Sequence, residues 1–184
     1  MFTELEMGGG LRLVPVATAD AAELFALIDA NRAYLRQWLP WLDFNTEQSD
    51  SEEFIARSRS LAEAGTGAVF AIRSDDLLVG TIGFNEIDSM HRICEIGYWL
   101  GESYQGQGWI TRSTTTLINF AFEELAMNKV CIPVATENRA SRDVAERMGC
   151  VIEGTARDAE WLYDHYVDHV LYSLLKSDWD SQRK

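Results

Sequence analysis

The sequence predicts an α/β fold, a single domain over residues 1–184 in which helices flank a mixed, mostly antiparallel sheet. Three observations predict it. A chain of 184 residues is close to the size of one hydrophobic core, and two independent cores would be cramped. Hydrophobic residues at 47% and charged residues at 24% are the mix of an ordinary globular chain rather than a disordered one. The third is the order of the elements, an antiparallel meander followed by strand, loop, helix, strand, helix and strand. That order requires at least one right-handed crossover joining parallel strands.

Taken in order, Leu11 to Val16 reads as a short strand, and Asp20 caps a helix from Ala21 to Asp29 with Leu24, Leu27 and Ile28 on one face. The unusually aromatic segment Tyr34 to Phe44 is stopped by Pro40, and Thr46 to Ala64 reads as a second amphipathic helix. Strands over Ala68 to Arg73 and Leu77 to Glu86 flank the hairpin signal Ser74-Asp75-Asp76. Ile93 to Leu100 is a third strand of this group, and a long helix runs from Thr111 to about Met127. Lys129 to Thr136 is a buried strand. Asn138 opens another helix, closed by Gly149 at its C′ position. Val151 to Thr155 and Val167 to Leu175 complete the strands.

Charge and composition narrow the function. Lys plus Arg is 16 and Asp plus Glu is 29, a net charge of −13 that repels phosphate backbones and anionic lipid. Neither nucleic acid nor a membrane surface is expected as a partner, whereas cationic partners, amines among them, are favoured. Met1 to Gly10 carries Glu4 and Glu6 and lacks the basic and apolar regions of a targeting signal; no stretch approaches 18 uncharged apolar residues. A cytoplasmic protein is the expectation. Cys94, Cys131 and Cys150 are scattered with no CxxC, and Cys94 and Cys131 sit in strand-like runs where a thiol packs as a small hydrophobe. His91, His165 and His169 show no metal-ligand spacing, so no metal is expected.

The sharpest motif is Tyr104-Gln-Gly-Gln-Gly-Trp-Ile-Thr111, between a strand and a long helix. Two glycines two apart let a backbone approach a ligand and turn successive N–H groups inward, and the helix behind adds its orphan donors and positive dipole end. Such a loop suits a pyrophosphate despite the acidic surface. It lacks the third glycine of a dinucleotide fingerprint and the Gly-Lys-Ser/Thr of a P-loop, which disfavours both. Alone, it reads equally well as a glycine-rich corner.

Gln105-x-x-Gly108 after Gly97-Tyr98-Trp99-Leu100, followed by Asn138-x-x-Ser141 and Met148-Gly149-Cys150, resembles the acetyl-CoA signature of the GNAT N-acetyltransferase superfamily. With Asn138-Arg-Ala-Ser141 and the tail Asp168 to Leu175, the chain is similar to the branch that acetylates the N-termini of ribosomal proteins, in particular at serine. The likeness covers nearly the whole chain and is strongest from about Phe84 onward. It implies a GNAT-like, acyl-CoA N-acyltransferase fold using acetyl-CoA as cosubstrate. Two positions depart from the superfamily pattern: Ile110, where glycine or alanine is usual, and Trp109, where a small aliphatic is. A larger residue at 110 is common in this branch. Trp109 either covers the cofactor or packs against the sheet.

The resemblance implies roles. The backbone N–H groups from Gln105 through Gly106, Gln107, Gly108 and Trp109 to Ile110 would hold the pyrophosphate. The backbone of Tyr98, Trp99 and Leu100 would pair with the pantetheine arm, a bulge there would splay this strand from the next, and an N–H near Tyr98 would donate to the oxyanion. Glu160, placed between the last strands, would be the base; Ser141 would be the acid for the leaving thiolate or a helix cap. Asn138 would contact the pantetheine or cap its helix. An ordinary glutamate, with a pKa near 4.3, is a weak base, so Glu160 would need burial, a mediating water, or a role confined to binding the ammonium.

An α-amine with a pKa near 8 is roughly a tenth neutral at pH 7, against under a thousandth for a lysine near 10.4, a difference of about 3.4 kcal/mol. An N-terminal acceptor therefore asks less of a base. The expected reaction is direct attack on acetyl-CoA in a ternary complex, with the N-terminal serine of a ribosomal protein as acceptor. A polyamine or aminoglycoside acceptor fits the charge better, and a non-catalytic acyl-CoA-binding module is the rival outside enzymology. Trp38, Trp41 and Phe44 would wall the acceptor pocket, pack in the core, or form the contact of a homodimer. Arg157, Asp158, Tyr163 and Asp164 flank Glu160, with their contact to substrate left open.

Overall fold

The computed structural model describes residues 2–183 and builds them around one eight-stranded sheet. Strand β1 is Leu5–Glu6, β2 is Leu11–Pro15, β3 is Ala68–Ser74 and β4 is Leu77–Asp88. Then come β5 (Ile93–Leu100), β6 (Lys129–Ala135), β7 (Val151–Leu162) and β8 (His165–Leu175). Their spatial order is β1-β2-β3-β4-β5-β6-β8-β7. Among the described residues only β5 and β6 run parallel, joined by the crossover that the element order required.

The helices are α1 (Ala21–Ala30), α2 (Arg32–Leu35), α3 (Gln48–Ala64), α4 (Trp109–Glu123), α5 (Arg139–Arg147) and α6 (Lys176–Gln182). Alternation along the strands feeds two cores. Phe70 and Ile72 of β3, Ile96 of β5, Val130 and Ile132 of β6 and Tyr172 of β8 pack with Leu117, Ile118 and Phe122 of α4 and Trp179 of α6. Each such side chain, fully buried, contributes about 1.5–3 kcal/mol. On the opposite face, Ala71 and Leu78 pack with Leu24, Ile28 and Ile55 of α1 and α3. The α1–α3 layer thus covers one half of its face, and the α4–α6 layer covers the other face.

Several expected boundaries move, for local reasons. Helix α4 starts two residues earlier, at Trp109, and ends at Glu123 rather than near Met127, because Ala126 turns to φ +53°. Helix α3 starts at Gln48, not Thr46, since the Asp50 carboxylate accepts the N–H groups of both Thr46 and Glu47 and holds them outside the helix. Asp20 does precede α1, but its carboxylate makes no cap bond to that helix. It accepts instead from the Ala17 N–H at 2.8 Å and from Arg73 at 2.7 Å. The last two strands are longer than their apolar cores and form one hairpin, so Glu160 lies inside β7 and not between strands. Gly149 has φ +76° just past α5, the C′ conformation expected of it.

Candidate active site

The parallel pair β5–β6 holds together over only three residue pairs, from Ile93↔Lys129 to Glu95↔Cys131. Beyond Glu95 the strands part, and a cleft of about 1080 Å³ opens through the sheet. Tyr98, Trp99 and Leu100 line it from β5, and Ile132 to Ala135 from β6. On its other edge β5 stays paired antiparallel with β4, through Gly80↔Leu100, Thr81↔Trp99 and Ile82↔Tyr98. Backbone groups of β5 that point away from β4 therefore face the gap. The bulge expected at Tyr98 to Leu100 stands elsewhere: the register shift falls on β4, where Asn85 is the extra residue opposite Glu95 and Ile96. Gly97 accommodates it, because a Cβ there would meet the Asn85 side chain at 2.7 Å.

One mouth of the cleft is the loop before α4. Gly106 and Gly108 adopt φ +74° and +71°, a conformation that costs other L-residues roughly 1–2 kcal/mol. A Cβ added at either would meet nothing within 4 Å, so the space over the loop is open. No side chain caps α4, whose first-turn N–H groups are left as donors beside those of the loop. Gln105, Gly106, Gly108, Trp109 and Ile110 line the cleft; Gln107 is exposed outside it. An open cradle of unpaired donors at a helix N-terminus fits a pyrophosphate. Trp109 stacks on Tyr104, with ring centroids 6.1 Å apart, and packs against the core as well as lining the cleft.

Helix α5 also points its N-terminus into this mouth. Asn138 is its N-cap: the side-chain oxygen accepts from the Ser141 N–H at 3.1 Å. Ser141 is therefore the capped residue, not the cap. Its hydroxyl donates to the Tyr98 hydroxyl at 2.9 Å, and Tyr98 donates on to the Ser141 carbonyl at 3.2 Å. Burial pushes the Tyr98 phenol up to about 12, against a smaller opposing effect of the Ser141 hydrogen bond. At neutral pH it is a hydroxyl, not a phenolate. This Tyr98–Ser141 link bridges 43 residues, and nothing in the local sequence signals it.

The other mouth lies on the α1–α3 side. Glu160 and His169 both line the cleft, with Glu160 Oε2 3.6 Å from His169 Nε2 and side-chain exposures of 29% and 18%. Paired residues of a hairpin share a face, and the pairs Ala156↔His169 and Glu160↔Val167 set these two side by side. The bulge between them is pinned by Asp158, at φ +48°, whose N–H donates to Asp168 Oδ1 at 2.8 Å. Metal spacing alone passes over His169; its place two residues after Val167, on the same face of β8, is the signal that finds it. Trp38 and Trp41 wall this mouth, with Trp41 and Trp99 at 6.3 Å, whereas Phe44 is 81% exposed outside it. The residues flanking Glu160 do not line the cleft: the Tyr163 hydroxyl donates to the Leu39 carbonyl, and Arg36 sits 3.6 Å over the Tyr163 ring, docking the hairpin tip on the aromatic segment.

Burial raises the thiols of Cys94 and Cys150 to about 12, and both are free. No cluster of three or more metal-ligating side chains occurs among the described residues, and no helix there is long and apolar enough to cross a membrane.

The chain's relatives share this architecture. A family model described as an acetyltransferase (GNAT) domain matches residues 10–151. The ribosomal-protein-serine acetyltransferase of Escherichia coli (strain K12) is 34% identical over 175 residues, covering 95% of this chain and 98% of that one. A solved structure of RimL, a ribosomal L7/L12 alpha-N-protein acetyltransferase in complex with coenzyme A, superposes with TM-score 0.92 at 27% identity. It covers 95% of this chain and 99% of that one. The microcin C7 self-immunity acetyltransferase MccE, solved with acetyl-CoA and AMP, superposes with TM-score 0.90 at 28% identity, over 93% and 95% of the two chains.

Proposed function

This chain belongs to the GNAT acetyltransferase family, and on that premise we propose that it acetylates the α-amine of a serine-starting protein N-terminus, that of a ribosomal protein, by direct attack within a ternary complex. It is an acetyl-CoA-dependent N-acetyltransferase. The observation that carries the proposal is the cleft through the sheet, with a donor-lined loop at one mouth and Glu160 beside His169 at the other.

Bound acetyl-CoA supplies an acetyl group activated as a thioester. The N–H groups of the loop from Gly106 to Ile110 bind its pyrophosphate, with Gln105 and Trp109 at the rim. The unpaired edge of β5 at Tyr98, Trp99 and Leu100, with Asn138 opposite, holds the pantetheine arm. The acceptor enters from the α1–α3 side, where Glu160 draws in its ammonium and takes the proton. His169 stands 3.6 Å from that carboxylate, on the same wall of the cleft. At the opposite end, Ser141 gives its hydroxyl proton to the departing sulfur; the Tyr98 hydroxyl, turning from the Ser141 carbonyl to the Ser141 Oγ 2.9 Å away, replaces that proton and is itself reprotonated by water entering the cleft as the products leave. An α-amine, being far more often neutral than a lysine at pH 7, matches a carboxylate base.

A small cationic acceptor is the second reading, favoured by the net charge of −13 and by the indoles of Trp38, Trp41 and Trp99 at the acceptor mouth. Mass-resolved acetyl transfer decides between them, using a serine-starting ribosomal-protein peptide, an alanine-starting one, an N-terminally blocked lysine peptide and spermidine. Fastest transfer to the serine peptide supports the proposal. Transfer to spermidine alone would leave the family intact and overturn the α-amine acceptor.

A further inference from the structure

Beside the acceptor mouth lies a second, smaller cavity of about 110 Å³. It shares Trp38 and Glu160 with the main cleft, so the Glu160 carboxylate stands at the junction of the two. Three separate parts of the chain enclose it: Gln37 beside α2, Thr136 and Glu137 between β6 and α5, and Leu162, His165 and Val167 at the tip of the β7–β8 hairpin. Its volume is that of about four waters, enough for a side chain of a few heavy atoms. The Tyr163 hydroxyl, bonded to the Leu39 carbonyl, ties the hairpin tip to the aromatic segment and fixes two of the walls relative to each other.

We propose that this cavity is the specificity subsite for the acceptor: it takes the substituent on the carbon that bears the reacting amine, and it selects a small hydroxylated one. The inference rests on the reading of Glu160 as the group that receives the amine. An amine held at Glu160 and pointed into the cleft leaves its α-carbon at the junction, with the substituent directed into the side cavity. Size is set by Leu162 and Val167, which close the apolar side. Polarity is set by the half-buried Thr136 hydroxyl, which can donate to or accept from a substrate hydroxyl, with exposed Gln37, Glu137 and His165 at the rim. A methyl in its place leaves the Thr136 hydroxyl without that partner, which disfavours it by roughly five- to tenfold at a half-open site. A branched or aromatic substituent exceeds the space.

The test is acetylation of a matched series, serine, alanine, threonine, valine and phenylalanine, each presented both as the amide and as the first residue of a peptide. Wild-type protein is compared with Thr136→Val and Val167→Ala, and CoA affinity is measured by calorimetry for all three. The expected result is serine ahead of alanine by about five- to tenfold in kcat/KM, with phenylalanine excluded. Thr136→Val should bring the serine-to-alanine ratio close to one. Val167→Ala should raise valine and threonine relative to serine, with CoA affinity unchanged. If the wild type acetylates serine but neither variant alters the order of acceptors, the subsite is overturned while the α-amine reading stands. Absence of transfer to every α-amine in the series would overturn both.

Discussion

Replacing Gly108 separates binding of the cofactor from stability of the fold. Gly108 is the N-cap of α4 at φ +71°, and a Cβ there would meet nothing within 4 Å. Gly108→Ala therefore adds no clash; it costs the left-handed backbone preference, about 1–2 kcal/mol, or a fall of roughly 2–8 °C in Tm. Gly108→Asp adds a carboxylate to the space proposed for the pyrophosphate. At about 5 Å from a phosphate charge and an effective dielectric near 20, the repulsion is ~3 kcal/mol, roughly two orders of magnitude in affinity. The same carboxylate is placed to accept from the first-turn N–H groups, so it competes for the donors as well and recovers part of the lost stability. Gly65 is the control: it has φ +71°, has equally open space, closes α3, and lies outside the cleft. Calorimetric titration with CoA and a thermal melt on each variant give both quantities. Gly65→Asp should melt earlier yet bind CoA as the wild type does, whereas Gly108→Asp should lose affinity by about a hundredfold. Affinity within twofold of wild type in Gly108→Asp would refute the assignment of the loop.

Three further outcomes are expected. Glu160→Gln should lower kcat by roughly a hundredfold or more and leave CoA affinity within twofold; a fully active variant would remove Glu160 from the proton path. Tyr98→Phe should lower kcat by about three- to tenfold, and the double variant with Ser141→Ala should be no slower than Ser141→Ala alone, because the two hydroxyls act in series. Additive losses would break the relay. Burial holds the thiols of Cys94 and Cys150 near 12, so between the ordinary value of 9.0 and 12 the folded protein keeps protons that the unfolded chain has lost. Stability should be flat in this respect below pH 9 and fall as pH rises from 9 toward 12, with thiol reagents labelling Cys94 and Cys150 only on unfolding. Rapid labelling of the native protein at pH 8 would contradict it.

What the sequence made legible were features carried by neighbouring residues. The Tyr104 to Thr111 loop announced itself by two glycines between a strand and a helix, and both glycines have the left-handed φ that such a turn demands. Asn138 and Gly149 bracket α5 as cap residues do. What stayed hidden depends on distant contacts. The position of Glu160 within β7 is set by a bulge whose anchor, Asp168, is ten residues away in sequence. The bulge on β4 shows only once β5 is paired against it, which is why it was expected on the wrong strand. His169 becomes part of the site through hairpin register, and Tyr98 through a helix 43 residues further on. Strand β1, at two residues, is too short to carry a period, and α6 is mostly polar with Trp179 as its buried anchor.

Amide hydrogen exchange with and without CoA tests the central claim most directly, that the cofactor enters where β5 and β6 part. Slowed exchange at Gly106–Thr111 and Tyr98–Leu100, extending no further than the α5 N-terminus at Asn138, with α3 unchanged, is the predicted result. Protection that leaves both segments unchanged and falls elsewhere on the fold would contradict the account.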